Sequence, residues 1–209
     1  MSITLNRTRV RQITARFFEQ PVARLLMRLK VGPMAVTIFG LVLAAVAAYL
    51  VAINELMWGG VVLAISGALD SIDGALARMS GAASPAGALL DSVVDRLAEG
   101  VVLLGVLILA LDTDEAMLAT LVYIAFAGSM LVSYVAARTQ SLGSQQVVGI
   151  MTRPERVIVL AVGLVIGYLT IAIWIIAILT PLTALHRFLH GWNELQKGRK
   201  HNENEETAQ

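Results

Sequence analysis

The chain has 209 residues, of which 57% are hydrophobic and only 15% are charged, and its net charge is +1 at pH 7. This composition is far from the average of soluble domains and favours a membrane protein of one domain, without a nucleic-acid partner. There is no cysteine, so disulfides and thiolate-bound metals are excluded.

The first segment, residues 1–31, predicts an amphipathic helix that lies in the headgroup region of a bilayer and bends at Pro21. Apolar residues recur there at helical spacing, with arginines between them: Val10, Ile13, Phe17, Val22, Leu25 and Leu29. A basic mitochondrial presequence is the alternative. Glu19 and the direct continuation into an apolar stretch disfavour it.

Six apolar stretches follow, each close to the length that a spanning helix needs, which is about 17–25 residues. They cover residues 34–54, 57–78, 87–111, 116–137, 154–170 and 172–190, and the last two are separated only weakly, near Gly167 and Tyr168. The predicted fold is therefore all-α, with six transmembrane helices after the interfacial helix. We assign residues 32–193 to this domain and residues 194–209 to a polar, disordered tail.

The basic residues predict the orientation of these helices. All 16 Lys and Arg fall at the termini or at alternate connections, whereas the opposite connections hold only acids, namely Glu55, Asp112, Asp114 and Glu115. The positive-inside rule then places both termini on the cytoplasmic side of a multi-pass protein of the plasma membrane. A soluble helical bundle is the alternative, and the one-sided charge disfavours it.

Four aspartates lie at the cytoplasmic ends of the second and third stretches: Asp70, Asp73, Asp91 and Asp95. Each pair is spaced three or four residues apart, so its members share one helix face. The small residues, Gly and Pro of positions 78–87 predict a loop that lets the two helices run antiparallel. Four carboxylates at one place would repel each other without a cation, so the pattern predicts a divalent-metal site. A hydrogen-bonded polar cluster or a pair of helix caps is the simpler alternative.

Residues 152–156 predict the start of another helix, because Thr152 and Glu155 have capping-box spacing and Pro154 suits a first turn. This start brings Arg153 and Arg156 to the cytoplasmic face. Arginines suit a phosphate, because the guanidinium offers a fork of donors that matches it. Marking the membrane topology is their alternative role.

Residues 70–95 follow the pattern Asp-x2-Asp-Gly-x2-Ala-Arg-x8-Gly-x3-Asp-x3-Asp. At every fixed position this resembles the signature of the CDP-alcohol phosphatidyltransferases, a family of membrane enzymes of phospholipid synthesis. Residues 32–40, 133–138 and 153–156 extend the resemblance over most of the chain. Within the family they look most like the phosphatidylinositol-phosphate synthases of bacteria and their archaeal relatives. The resemblance implies six transmembrane helices after an interfacial helix, as a homodimer.

The resemblance also implies roles for individual residues. The four aspartates would hold Mg²⁺ or Mn²⁺, and Asp95 would also accept the proton of the acceptor hydroxyl. The residues implied to contact the CDP-linked lipid are Met34, Ala35, Val36, Thr37, Gly74, Arg78 and Ser84. Those implied to contact the phosphate of the acceptor are Ser133, Arg138, Arg156 and Arg187.

The resemblance implies transfer of a phosphatidyl-type group from a CDP-linked lipid to a small phosphorylated alcohol at the cytoplasmic surface, with release of CMP. Inositol phosphate is the expected acceptor. One position departs from that pattern, because Ala136 stands where those synthases commonly carry Lys, so glycerol 3-phosphate or another alcohol is the alternative. A divalent-cation transporter is the alternative of another class. Such sites usually lie near the bilayer midplane, whereas these acids lie at helix ends.

Overall fold

The structure is a computed structural model that describes residues 19–144 and 149–206. This part of the chain forms seven helices and no strand. It divides into two compact units, Met1–Gly105 and Val106–Gln209, each of which we describe by itself.

The first unit contains α1 (Gln20–Arg28), α2 (Pro33–Ala52), α3 (Leu56–Ser80) and most of α4 (Pro85–Asp112). Helix α2 begins as the sequence suggests, with Gly32 in an extended conformation at the N-cap and a proline in the first turn. Helix α3 ends at Gly81, whose φ of +69° is the left-handed conformation that favours glycine at this position. The connection to α4 is therefore only residues 81–84, which is shorter than the predicted loop.

The helices of the first unit pack through small side chains. Ala23 of α1 and Val36 of α2 form a buried cluster with Ala75 and Leu76 of α3. A Cβ at Gly105 of α4 would overlap the backbone of Ala48, so α2 and α4 approach closely there. These contacts fix the start of α2 and α1 against the end of α3.

The second unit contains the end of α4, then α5 (Ala116–Ser141), α6 (Arg153–Val165) and α7 (Leu169–Glu206). Glycines again mark the close approaches, because a Cβ at Gly128 of α5 would overlap Thr180 of α7, and one at Gly163 of α6 would overlap Ala172 of α7. The weak boundary predicted near Gly167 is a real helix end, and Gly167 has a φ of +77°.

Each of the six predicted stretches overlaps one of the helices α2 to α7, but among the described residues only four of these helices are long and apolar enough to cross a membrane. They are Pro33–Ala52, Leu56–Ser80, Ala116–Ser141 and Leu169–Lys197. Helix α6 has 13 residues, and α4 carries Asp91, Asp95, Arg96 and Glu99 along its first half. Six membrane crossings therefore stay a prediction.

The two ends of the chain leave other predictions open. Residues 1–18 of the predicted interfacial helix lie outside the described residues, and α1 covers only its last part. Helix α7 continues to Glu206, past the start of the predicted tail, and Glu194 accepts a hydrogen bond of 2.6 Å from the Ser144 hydroxyl. Disorder of the tail in solution stays a prediction.

Candidate active site

Three of the four motif aspartates come together in the first unit. Asp70 of α3 and Asp91 and Asp95 of α4 each offer one carboxylate oxygen, and these three oxygens lie within 4.8 Å of one another. All three residues are partly buried. Carboxylate oxygens are the ligands that Mg²⁺ and similar hard cations take, and oxygens on opposite sides of such an ion are about 4–5 Å apart. The group therefore fits one divalent cation.

The short connection between α3 and α4 is what brings these carboxylates together. Gly81 reverses the chain after α3, and the Gly87 backbone N–H donates a 3.1 Å hydrogen bond to Ser84 Oγ at the start of α4. Ser84 is thus the N-cap of α4, which the sequence analysis missed, although Ser followed by Pro at the first position is typical of a helix start. On α4 itself, the four-residue spacing of Asp91 and Asp95 puts both on one face.

Asp73, the fourth predicted ligand, lies beside this group and outside it. Its side chain is only 4% exposed, and its Oδ2 accepts a 2.7 Å hydrogen bond from the Thr37 hydroxyl of α2. Asp70 and Asp91 are near enough to interact with it electrostatically. The structure thus gathers three of the four aspartates and ties the fourth to another helix.

The residues predicted to contact the CDP-linked lipid differ in their exposure to solvent. Met34 and Ala35 are exposed at the start of α2, whereas Val36 is buried against α3. The Val36 side chain is therefore not exposed to a ligand. Thr37 is the residue bonded to Asp73.

Gly74 and Arg78 of α3 are neighbours on one face. A Cβ at Gly74 would lie 3.3 Å from Arg78 Nη1, so the absence of a side chain there leaves room for the guanidinium. Arg78 is exposed. The arrangement leaves the Arg78 donors accessible to an anionic ligand next to the motif aspartates.

In the second unit, two of the predicted arginines interact. Arg156 of α6 is only 3% exposed and its Nη1 donates a 3.1 Å hydrogen bond to the Met151 carbonyl. Arg187 of α7 is half-buried, is near enough to Arg156 and Glu155 for electrostatic interaction, and donates from Nη1 to the Val132 carbonyl at 3.1 Å. Two guanidiniums held near each other, with an acid beside them, suit an anion between them.

The other two predicted acceptor residues lie on α5 with different exposure. Ser133 is partly buried and follows Val132, whose carbonyl accepts from Arg187. Arg138 is exposed near the end of α5. The predicted capping box is only half right: Thr152 is the N-cap of α6, but its hydroxyl donates to the Glu155 carboxylate and does not accept a hydrogen bond from the Glu155 backbone N–H.

Gly149, which precedes α6, was missed by the sequence analysis. A Cβ added there would overlap the Thr183 methyl and lie 3.0 Å from Arg187 Nε. The loop backbone therefore comes close to the guanidinium only because this residue is glycine. The sequence does show a glycine shortly before a helix start that contains two arginines. It does not show the contact with Arg187 of α7, which is distant in sequence.

The family profile that matches this chain covers residues 30–185 and describes the CDP-alcohol phosphatidyltransferases. The chain belongs to this family. It is a membrane enzyme of phospholipid biosynthesis, and three of its four motif aspartates are the residues whose carboxylates converge in the structure.

Two relatives show how far the similarity extends. The chain is 32% identical to the archaetidylinositol phosphate synthase of Pyrococcus horikoshii, over 86% of this chain and 95% of that protein. It is 34% identical to the phosphatidylinositol phosphate synthase of Mycolicibacterium smegmatis, over 80% of this chain and 81% of that protein.

Solved structures of the phosphatidylinositol phosphate synthase of Mycobacterium tuberculosis have the same fold. The form with CDP-DAG bound has 29% sequence identity and a TM-score of 0.77, over 84% of this chain and 94% of that chain. The form in complex with manganese and citrate has 28% identity and a TM-score of 0.78, over 84% of this chain and 89% of that chain.

Proposed function

We propose that this enzyme transfers a phosphatidyl-type group from a CDP-diacylglycerol-type lipid to inositol phosphate and releases CMP. The observation that carries the proposal is the convergence of Asp70, Asp91 and Asp95 in a chain of this family. Support for the acceptor comes from the two interacting arginines and from relatives named as an archaetidylinositol phosphate synthase and a phosphatidylinositol phosphate synthase.

The metal in this proposal is Mg²⁺, with Mn²⁺ as the alternative. Asp70, Asp91 and Asp95 would hold it, and Asp73 would complete the set from beside them. When bound, the cation would neutralise the diphosphate of the lipid donor and make CMP a better leaving group. Support for this assignment comes from the oxygen-only donor set and from the manganese in a similar solved protein.

At the lipid-side phosphorus, the reaction breaks one bond and forms one bond. The oxygen of the acceptor hydroxyl attacks the lipid-side phosphorus, the bond from that phosphorus to the CMP oxygen breaks, and the hydroxyl proton passes to Asp95. Asp95 is suited to this part because it is an acid within the carboxylate group and lies one turn from Asp91. Positioning and charge neutralisation supply most of the rate enhancement in such a transfer.

The proposed contacts of the CDP-linked lipid are Met34, Ala35 and Val36 on α2, with Gly74, Arg78 and Ser84 on α3 and in the turn after it. The exposed Arg78 guanidinium would bind phosphate oxygens, and the absence of a side chain at Gly74 leaves room for that guanidinium beside the helix. Thr37 belongs to the same turn of α2.

Arg156 and Arg187 would bind the phosphate of the acceptor, with Ser133 and Arg138 as further contacts. A small alcohol that carries a phosphate explains why arginines are held together here, whereas serine and free inositol carry no phosphate for guanidiniums to bind. Glycerol 3-phosphate is the alternative acceptor, because it also has a hydroxyl near a phosphate and because Ala136 supplies no amine.

We also propose the arrangement in the membrane that the sequence predicts: six crossings, an interfacial N-terminal helix, a homodimer in the plasma membrane, and both termini and the active site on the cytoplasmic side. The one-sided distribution of Lys and Arg supports the orientation. A site at the cytoplasmic surface lets acyl chains stay in lipid while the acceptor enters from water.

The experiment is a panel of acceptors offered to the purified enzyme with labelled CDP-diacylglycerol and Mg²⁺. Inositol phosphate should give a phosphorylated inositol lipid and stoichiometric CMP, and free inositol and serine should give neither. A product with glycerol 3-phosphate alone would replace the proposed acceptor by the alternative. Metal transport without CMP release from any donor would contradict the transferase and support the transporter.

A further inference from the structure

Thr37 connects α2 to the motif aspartates through a single hydroxyl group. Its Oγ1 lies 2.7 Å from Asp73 Oδ2 and 3.1 Å from the Pro33 carbonyl oxygen. The hydroxyl has one proton, so it can donate to only one of these acceptors at a time. The Asp73 carboxylate oxygen is the nearer acceptor, so the bond to Asp73 is favoured.

The packing around Thr37 keeps this bond in place. The preceding residue, Val36, is buried against Ala75 and Leu76, which follow Asp73 closely on α3. Thr37 is β-branched, which restricts its side-chain rotation within a helix. Asp73 is itself almost fully buried. Two stiff helix segments therefore hold the hydroxyl and the carboxylate against each other.

We propose that Thr37 is a positioning residue that orients the Asp73 carboxylate toward the divalent cation held by Asp70 and Asp91. This deepens the proposed function and rests on it. A hydrogen bond to Oδ2 fixes the plane of the carboxylate, and Asp73 lies near enough to Asp70 and Asp91 to interact with their charges. Partners of this kind, which bond to a ligand and not to the metal, commonly set metal affinity.

This role differs from the lipid contact that the family resemblance implies for Thr37. A residue that only touched the lipid would change the KM for the CDP-linked lipid and leave the affinity for a metal alone unchanged. A residue that orients Asp73 changes the affinity for the metal even when no lipid is present. The two roles are therefore separated by a binding measurement without substrate.

The experiment compares Thr37→Val, Thr37→Ser and the wild-type protein, each full-length in lipid nanodiscs. Mn²⁺ alone is titrated and the free ion is followed by electron paramagnetic resonance, and the unfolding temperature of each variant is measured. Thr37→Val should weaken Mn²⁺ binding by roughly 10- to 100-fold, and Thr37→Ser should restore most of it. Thr120→Val is the matched control, because Thr120 is exposed on α5 and its hydroxyl bonds only its own helix. It should bind Mn²⁺ as the wild type does.

A double-mutant cycle tests whether the effect passes through Asp73. In an Asp73→Asn background, Thr37→Val should cause no further loss of Mn²⁺ affinity. A lower unfolding temperature in Thr37→Val with unchanged Mn²⁺ affinity would overturn the proposal and leave Thr37 a structural role. A failure of the proposed function would look different, because the wild-type enzyme would then release no CMP.

Discussion

Replacement of Arg187 by alanine tests the acceptor site most directly. Arg187 is only half-buried and its one resolved hydrogen bond goes to the Val132 carbonyl at 3.1 Å. That carbonyl is inside a helix, where it already accepts a backbone bond, so truncation leaves no buried acceptor unpaired. Arg156, by contrast, is almost fully buried, so its removal would mix binding with folding.

The expected effect of Arg187→Ala is a higher KM for inositol phosphate with an unchanged KM for the CDP-linked lipid. Loss of one charge-assisted hydrogen bond costs about 1.5–3 kcal/mol. At about 1.4 kcal/mol for each factor of ten, this corresponds to a KM raised roughly 10- to 150-fold.

The assay follows CMP release at saturating CDP-diacylglycerol while inositol phosphate is varied. Lys197→Ala is the control, because Lys197 is an exposed cation on the same helix and should leave both constants unchanged. An unchanged acceptor KM in Arg187→Ala would refute the reasoning and reduce the arginines to markers of membrane topology.

Four further variants test other parts of the proposal. Asp91→Asn should reduce Mg²⁺-dependent CMP release by more than roughly 100-fold without loss of membrane insertion, because it removes a ligand and a costly charge together; near-normal activity at high Mg²⁺ would contradict the metal site. The chain has no cysteine, so single cysteines can be labelled selectively. A cysteine at Glu55 should react with an impermeant reagent from outside, whereas one at exposed Ala82, just beyond the other end of α3, should react only after lysis. The reverse result would invert the orientation. Gly149→Ala should raise the KM for the acceptor and lower the free energy of unfolding by about 1–3 kcal/mol, because the added Cβ would lie 3.0 Å from Arg187 Nε. An unchanged KM would mean that the loop tolerates the methyl group.

The sequence by itself determined the elements and the centre of the site. Hydrophobic stretches of helical length became helices because burial and backbone hydrogen bonding leave such segments few alternatives. The proximity of Asp70, Asp91 and Asp95 could be predicted from the sequence. Their positions depend only on the spacing of residues within each helix and on the short connection at Gly81. The family motif identified the chemistry for the same reason, since it is contained in one helix pair.

Only the tertiary structure decided which partner each polar side chain takes. Asp73 has the spacing of a ligand, yet its carboxylate bonds to Thr37, because α2 packs on α3 at Val36. The approach of Gly149 to Arg187 likewise depends on how a loop lies against α7. Such contacts join residues far apart in the chain, and they follow from side-chain packing between helices, which the periodicity of a single helix does not contain.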